Sequence, residues 1–147
     1  YEHSPWVAER AWAHRPFADL AELELALINS MLAASQTEQL TLIRAHPELA
    51  GKAAVAGELT AESTREQAGA RLDACSPAEF ARLQALNAAY NKRFGFPFIL
   101  AVRGFDRAAI IDCFAARLAN TPEEEFAEAL RQIARIASLR LRERFVS

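Results

Sequence analysis

With 147 residues, 52% hydrophobic and 24% charged, the chain has the length and composition of one globular domain around one core. Its 17 basic and 19 acidic side chains are interspersed and leave a net charge of −2, which gives no electrostatic case for binding nucleic acid or an anionic membrane. No apolar run approaches the roughly 20 residues of a membrane span, and no signal peptide is visible. The two cysteines, Cys75 and Cys113, form no CxxC pattern and read as free thiols in a reducing cytosol.

Taken in chain order, the punctuation is helical. Ser4-Pro5 is a cap followed by proline at the first helical position, opening a helix through Trp6 and Trp12. From Phe17 to Ala34, Leu20, Leu23, Leu27 and Met31 repeat with the amphipathic helix period. Ser35 with Glu38 is a capping box, and the short helix it opens ends near His46-Pro47, because the residue before a proline avoids the α region. Gly51 to Thr60 reads as a loop, and Thr60 or Ser63 caps a helix to about Cys75. Ser76-Pro77-Ala78-Glu79 is a full start signal for a helix with Phe80, Leu83, Tyr90 and Phe94 on one face.

Gly95 and Pro97 break that helix, and Phe96–Val102 reads as a buried extended segment. Asp106 starts a helix through Ile110, Ile111, Phe114 and Leu118. Thr121-Pro122-Glu123-Glu124 repeats the capping pattern and opens a last helix to about Arg144, with Phe126, Leu130, Ile133, Ala137 and Leu141 as its apolar stripe. There is no repeat, linker or βαβ pattern, so residues 1–147 read as one all-α domain, a compact bundle of about seven or eight helices.

Four places conflict with a plain division into core and surface, and such conflicts are where function is expected. His46 puts an imidazole at a helix end beside a proline: either a fixed proton carrier or a half-exposed helix-end histidine. Ser63, Glu66, Gln67 and Ala70 share one helical face, which is either a polar site or, for Ser63 with Glu66, a capping box. Arg140 falls within the apolar stripe of the last helix, whereas Arg131, Arg135 and Arg142 point away. It needs an anion or carbonyl partner unless it snorkels to solvent. The aromatics from Tyr90 to Phe98 either floor a pocket for a flat heterocycle or fill a core turn. His3, His14 and His46 lack zinc-site spacing, and no GxSxG, Walker or dinucleotide pattern is present.

Together these segments resemble one family. Glu2-His3-Ser4-Pro5-Trp6, His46-Pro47-Glu48-Leu49, Ser63-Thr64-Arg65-Glu66-Gln67, Asn91-Lys92-Arg93-Phe94-Gly95-Phe96-Pro97-Phe98 and the late Arg140 follow the order and spacing of the OHCU (2-oxo-4-hydroxy-4-carboxy-5-ureidoimidazoline) decarboxylases. The resemblance covers nearly the whole chain. Arg71 departs from the glycine more usual in similar proteins, and the helix that precedes Glu2–Trp6 in them is expected to be missing here.

The resemblance implies an all-α, cofactor-free, metal-free cytosolic decarboxylase of urate breakdown, a homodimer, with a small ureidoimidazoline as substrate. It implies that His46 is the key catalytic residue, with Glu66 and Arg140 beside it. Pro47, Ser63, Gln67, Phe96, Pro97, Phe98 and Ile99 are then the substrate-binding residues. His46 and Glu66 would equally suit a hydrolase or isomerase of a related ureide, and a helical binding module without chemistry is the reading from another class.

Overall fold

The computed structural model describes residues 1, 3–49, 65–67 and 76–146, the last by its backbone alone. Its helices start where the caps lie. They are α1 (Pro5–Trp12), α2 (Leu20–Leu32), α3 (Gln36–Ala45), α4 (Pro77–Phe94), α5 (Arg107–Arg117) and α6 (Pro122–Val146), with a helical turn at 65–67. The capping boxes of Ser35 with Glu38 and Ser76 with Glu79 are complete. Thr121 and Glu124 exchange the same two bonds, at 3.1 and 3.2 Å, ahead of α6. Asp19 and Asp106 cap α2 and α5. Ser4 is the exception: its backbone (φ −134°, ψ 65°) leaves the extended geometry of the other caps, and its side chain makes no cap bond.

The α3 cap also anchors α1. Arg10 pairs with Glu38, and that guanidinium, followed by the Ser35 N–H, holds the Glu38 carboxyl down to about 2. A carboxylate with a lowered folded pKa adds stability above its ordinary value, and that stability is lost as pH falls through the folded one. Glu38→Gln should therefore flatten the fall in urea midpoint between pH 4.5 and about 2 and leave less to lose there.

The core is assembled from one face of each longer helix: Leu27 and Met31 of α2, Leu42 and Ile43 of α3, Leu83 and Tyr90 of α4, Ile110 and Phe114 of α5, and Ala129 and Ile133 of α6. α6 touches α2, α3 and α4, so it is the axis of the bundle. Of the expected stripe, Leu130, Ile133 and Ala137 are buried, joined by Glu125, Ala129 and Ile136, whereas Phe126 and Leu141 are only partly covered. Phe80 also departs: it occupies the first turn of α4, at the end of the face that buries Leu83 and Tyr90, and is 38% exposed. Cys113 is a half-buried free thiol whose pKa burial pushes up. Cys75 lies outside the described residues.

Between α4 and α5, Phe96 and Phe98–Val102 are buried in neither helix nor strand. α4 is stopped by Gly95 at φ +74°, whose N–H returns to the Asn91 carbonyl at 2.8 Å. The Gly95 carbonyl accepts from Nε and Nη2 of Arg44, each at 3.2 Å, which ties the turn to α3. Alanine has room there, since its Cβ would meet nothing nearer than Arg44 Nη2 at 4.0 Å. Its cost is therefore conformational, and Gly95→Ala should lose roughly 1–2 kcal/mol and a few degrees of melting temperature. Among the described residues no helix is long and apolar enough to cross a membrane.

Candidate active site

His46 closes α3. The proline after it bars the α conformation, so His46 is an extended cap (φ −78°, ψ 139°) whose own N–H still reaches the Ile43 carbonyl at 3.2 Å. Its side chain turns inward and the residue is 6% exposed. The turn that follows is fixed from α4. Asn87 Nδ2 donates to the Leu49 carbonyl at 3.0 Å. Asn91 Nδ2 donates to the Glu48 carboxylate and to the Asn87 carbonyl, the latter at 2.8 Å. Gln67 Nε2 reaches the Glu48 carbonyl at 3.4 Å from the helical turn at 65–67. The histidine thus stands on a backbone held by three side-chain amides, with little freedom to swing.

Arg140 faces inward from α6, one turn beyond Ile136. Its Nε and Nη2 donate to the two Glu66 oxygens at 3.0 and 2.7 Å, a bidentate fork across 74 residues of sequence. The pair is largely buried, with side-chain exposures of 16% and 21%. The partner demanded by a guanidinium in an apolar stripe is therefore Glu66. Whether Ser63 also caps at Glu66 lies outside the described residues, as do Ser63 itself, Ala70, Arg71 and the Gly51–Thr60 segment.

These parts meet in one cavity. Its wall includes His46, Pro47, Glu66, Gln67, Ile99 and Arg140, closed on the other side by Leu100 to Arg103 with Ile136 and Leu139. Phe98 also lines it. Phe96 and Pro97 are not part of this wall. Phe96 turns instead into a groove with Leu40, Arg44, Phe94 and Phe126, where it stacks on Phe94 with centroids 5.9 Å apart. Asn87, Asn91 and the Leu100–Val102 wall were not read as parts of the site from the sequence. The asparagines had a signal, two amides four residues apart on a helix whose other inward residues are apolar.

The arrangement offers one imidazole for proton transfer, one carboxylate and two guanidinium groups, those of Arg103 and Arg140, for polar contacts, and an otherwise largely apolar wall to exclude water. Among the described residues, no group of three or more His, Cys, Asp or Glu side chains is placed to hold a metal ion.

Known proteins match this chain over its whole length. The 2-oxo-4-hydroxy-4-carboxy-5-ureidoimidazoline decarboxylase of Haloferax volcanii is 44% identical over 147 residues, covering 100% of this chain and 85% of that protein. The uric acid degradation bifunctional protein PucL of Bacillus subtilis is 42% identical over 141 residues, 96% of this chain and 28% of its own. Among solved structures, an (S)-allantoin synthase superposes with a TM-score of 0.72 at 32% identity, covering 96% of this chain and 45% of that one. The family model for OHCU decarboxylase matches residues 1–142, a span that holds His46, Glu66 and Arg140 alike, and the chain belongs to that family.

Proposed function

We propose that this protein decarboxylates OHCU to (S)-allantoin in urate degradation, without a cofactor, with His46 as general acid and base. The observation that carries the reading is the meeting of a buried imidazole with the Glu66–Arg140 fork on one cavity wall, from segments far apart in sequence. The names of the relatives supply the substrate and the hand of the product.

The chemistry asks little of the protein beyond placement and proton transfer. The carbon that loses CO2 is bonded to a ring carbon carrying a C=N bond. When the bond to the carboxylate breaks, its electron pair forms a carbon–carbon double bond, and the C=N electrons move onto nitrogen, which takes a proton. The substrate is its own electron sink, so no pyridoxal or thiamin is required. The resulting enol then loses its hydroxyl proton to become the allantoin carbonyl, and the ureido-bearing carbon gains a proton on one face. His46 takes the first of these protons and returns one to carbon, a role worth roughly a hundred- to ten-thousand-fold.

Glu66 accepts hydrogen bonds from ureido or ring N–H groups, while its charge is already met by the Arg140 fork. Arg140 is directed at a carbonyl oxygen, where charge builds up. A clamp on the departing carboxylate would instead hold the ground state and slow the reaction. Ser63, Gln67, Pro47, Phe98 and Ile99 complete the contacts in this reading; of these, Pro47, Gln67, Phe98 and Ile99 line the cavity.

Arg140→Lys keeps the charge and loses the fork, and it is expected to cost roughly tenfold or more in turnover, about 1.4 kcal/mol. Near-normal turnover of Arg140→Lys would remove Arg140 from the mechanism. The reaction itself is tested with OHCU labelled isotopically in the carboxylate. Labelled CO2 released one for one with allantoin is the expected result, and a product that retains the label would mean hydrolysis or isomerisation. The family resemblance also implies a cytosolic homodimer, which light scattering of the purified protein checks for oligomeric state.

A further inference from the structure

Arg117 and Glu125 have no part in the reaction above, yet they form the most deeply buried ion pair among the described residues. Glu125 lies in the first turn of α6 and is 0% exposed, and Arg117 ends α5 at 7%. One Glu125 oxygen accepts from Arg117 Nε at 2.6 Å and from the Tyr90 hydroxyl at 2.7 Å, with Arg117 Nη2 also against it. The other accepts from Asn120 Nδ2 at 3.0 Å. Burial first, and then the Glu125 contact, pushes the Tyr90 hydroxyl well above its usual range, so it stays a donor.

The rest of the guanidinium is turned toward the cavity wall. Nη1 donates to the Ile99 carbonyl at 2.6 Å, and Cζ lies 4.3 Å from the centroid of the Phe98 ring, which is itself stacked on Phe114 at 3.9 Å. Two successive wall residues, one by its ring and the next by its backbone, are thus gripped by one planar group. Two residues on, the Ala101 N–H is held by Gln132 Oε1 at 3.0 Å. The segment has no helical or sheet bonding of its own, so these contacts decide where it sits.

A buried ion pair is weak as a source of stability, because well-packed apolar side chains of similar volume commonly serve as well. What apolar side chains do not supply is a directed bond that fixes register. We propose that Arg117, locked by Glu125, is a positioning residue for the reaction: it sets Phe98 and Ile99 on the cavity wall and so aligns the substrate against His46. This rests on the decarboxylase reading. Misplacement of a substrate by about 1 Å can cost a hundredfold in rate.

The test compares the native protein with Arg117→Lys and with the double variant Arg117→Met, Glu125→Leu, which leaves no lone buried charge. Turnover of OHCU, KM, allantoin handedness, and amide exchange at Phe98–Val102 are read in each. The proposal expects the double variant to keep its helical content and most of its stability. Its kcat should fall at least tenfold with a smaller change in KM, and amides 98–102 should exchange at least tenfold faster while α2 and α3 do not. Arg117→Lys, which keeps the charge but cannot hold ring and carbonyl together, should lie between. A double variant with native kcat and native exchange would overturn the proposal. Should that variant not fold, Arg117→Lys decides by the same two readouts. Should the native protein release no CO2, the decarboxylase reading fails by itself. The exchange comparison then stands alone, and unchanged exchange overturns the positioning role.

Discussion

His46→Asn is expected to lower turnover of OHCU by roughly a hundred- to ten-thousand-fold, the range that one well-placed general acid–base group supplies. Asparagine keeps a compact polar side chain at the end of α3 and cannot take up a proton near neutral pH. The turn that carries it is held by Asn87, Asn91 and Gln67 through the backbone and side chain of Glu48 and the carbonyl of Leu49, none of which involves the imidazole. The variant should therefore fold, and the loss should fall on kcat with KM little changed. Steady-state rates of the purified variant, beside its far-ultraviolet circular dichroism, check both. A variant within about threefold of native turnover would assign the proton transfers to another group.

Glu125→Ala is expected to destabilise the fold strongly, by roughly 3–5 kcal/mol, because it strands the Arg117 guanidinium in the core without its anion. The same change removes the acceptor of the Tyr90 hydroxyl and of Asn120 Nδ2. Domains of this size are stable by roughly 5–15 kcal/mol, so about a fifth or more of the total is at stake. Urea unfolding followed by circular dichroism measures it. The double variant Arg117→Met, Glu125→Leu should recover most of the loss, since no charge is then left buried alone. Equal loss in the single and double variants would show that packing volume, rather than charge, sets the stability there.

Parts of this site were legible in the sequence for physical reasons. A histidine before a proline disfavours the α region, which marked His46 as the end of a helix, and α3 stops at Ala45. A guanidinium amid Ile133, Ile136 and Ala137 needs an anion or carbonyl partner unless it snorkels to solvent, which singled out Arg140. The identity of its partner was not legible, because Glu66 sits 74 residues away in a pattern that doubles as a capping box.

Glu125 was hidden more thoroughly. It is one of three consecutive glutamates, Glu123 to Glu125, that all suit the positive end of a helix. The spacing from Thr121 marks Glu124 as the cap, but only packing reveals that Glu125 turns into the core. Arg117 was masked in the same way, as a basic residue in the last turn of α5, where a helix dipole welcomes it. The wall from Leu100 to Val102 read correctly as buried, but burial alone does not tell a core segment from a pocket lining.

The central claim is that this protein converts OHCU to one enantiomer of allantoin. It is tested most directly by generating OHCU in place from urate with urate oxidase and hydroxyisourate hydrolase, and following circular dichroism with and without the protein. Rapid growth of the (S)-allantoin signal, well ahead of the uncatalysed reaction, is the predicted result. Slow decay to racemic allantoin at the same rate in both samples would contradict it.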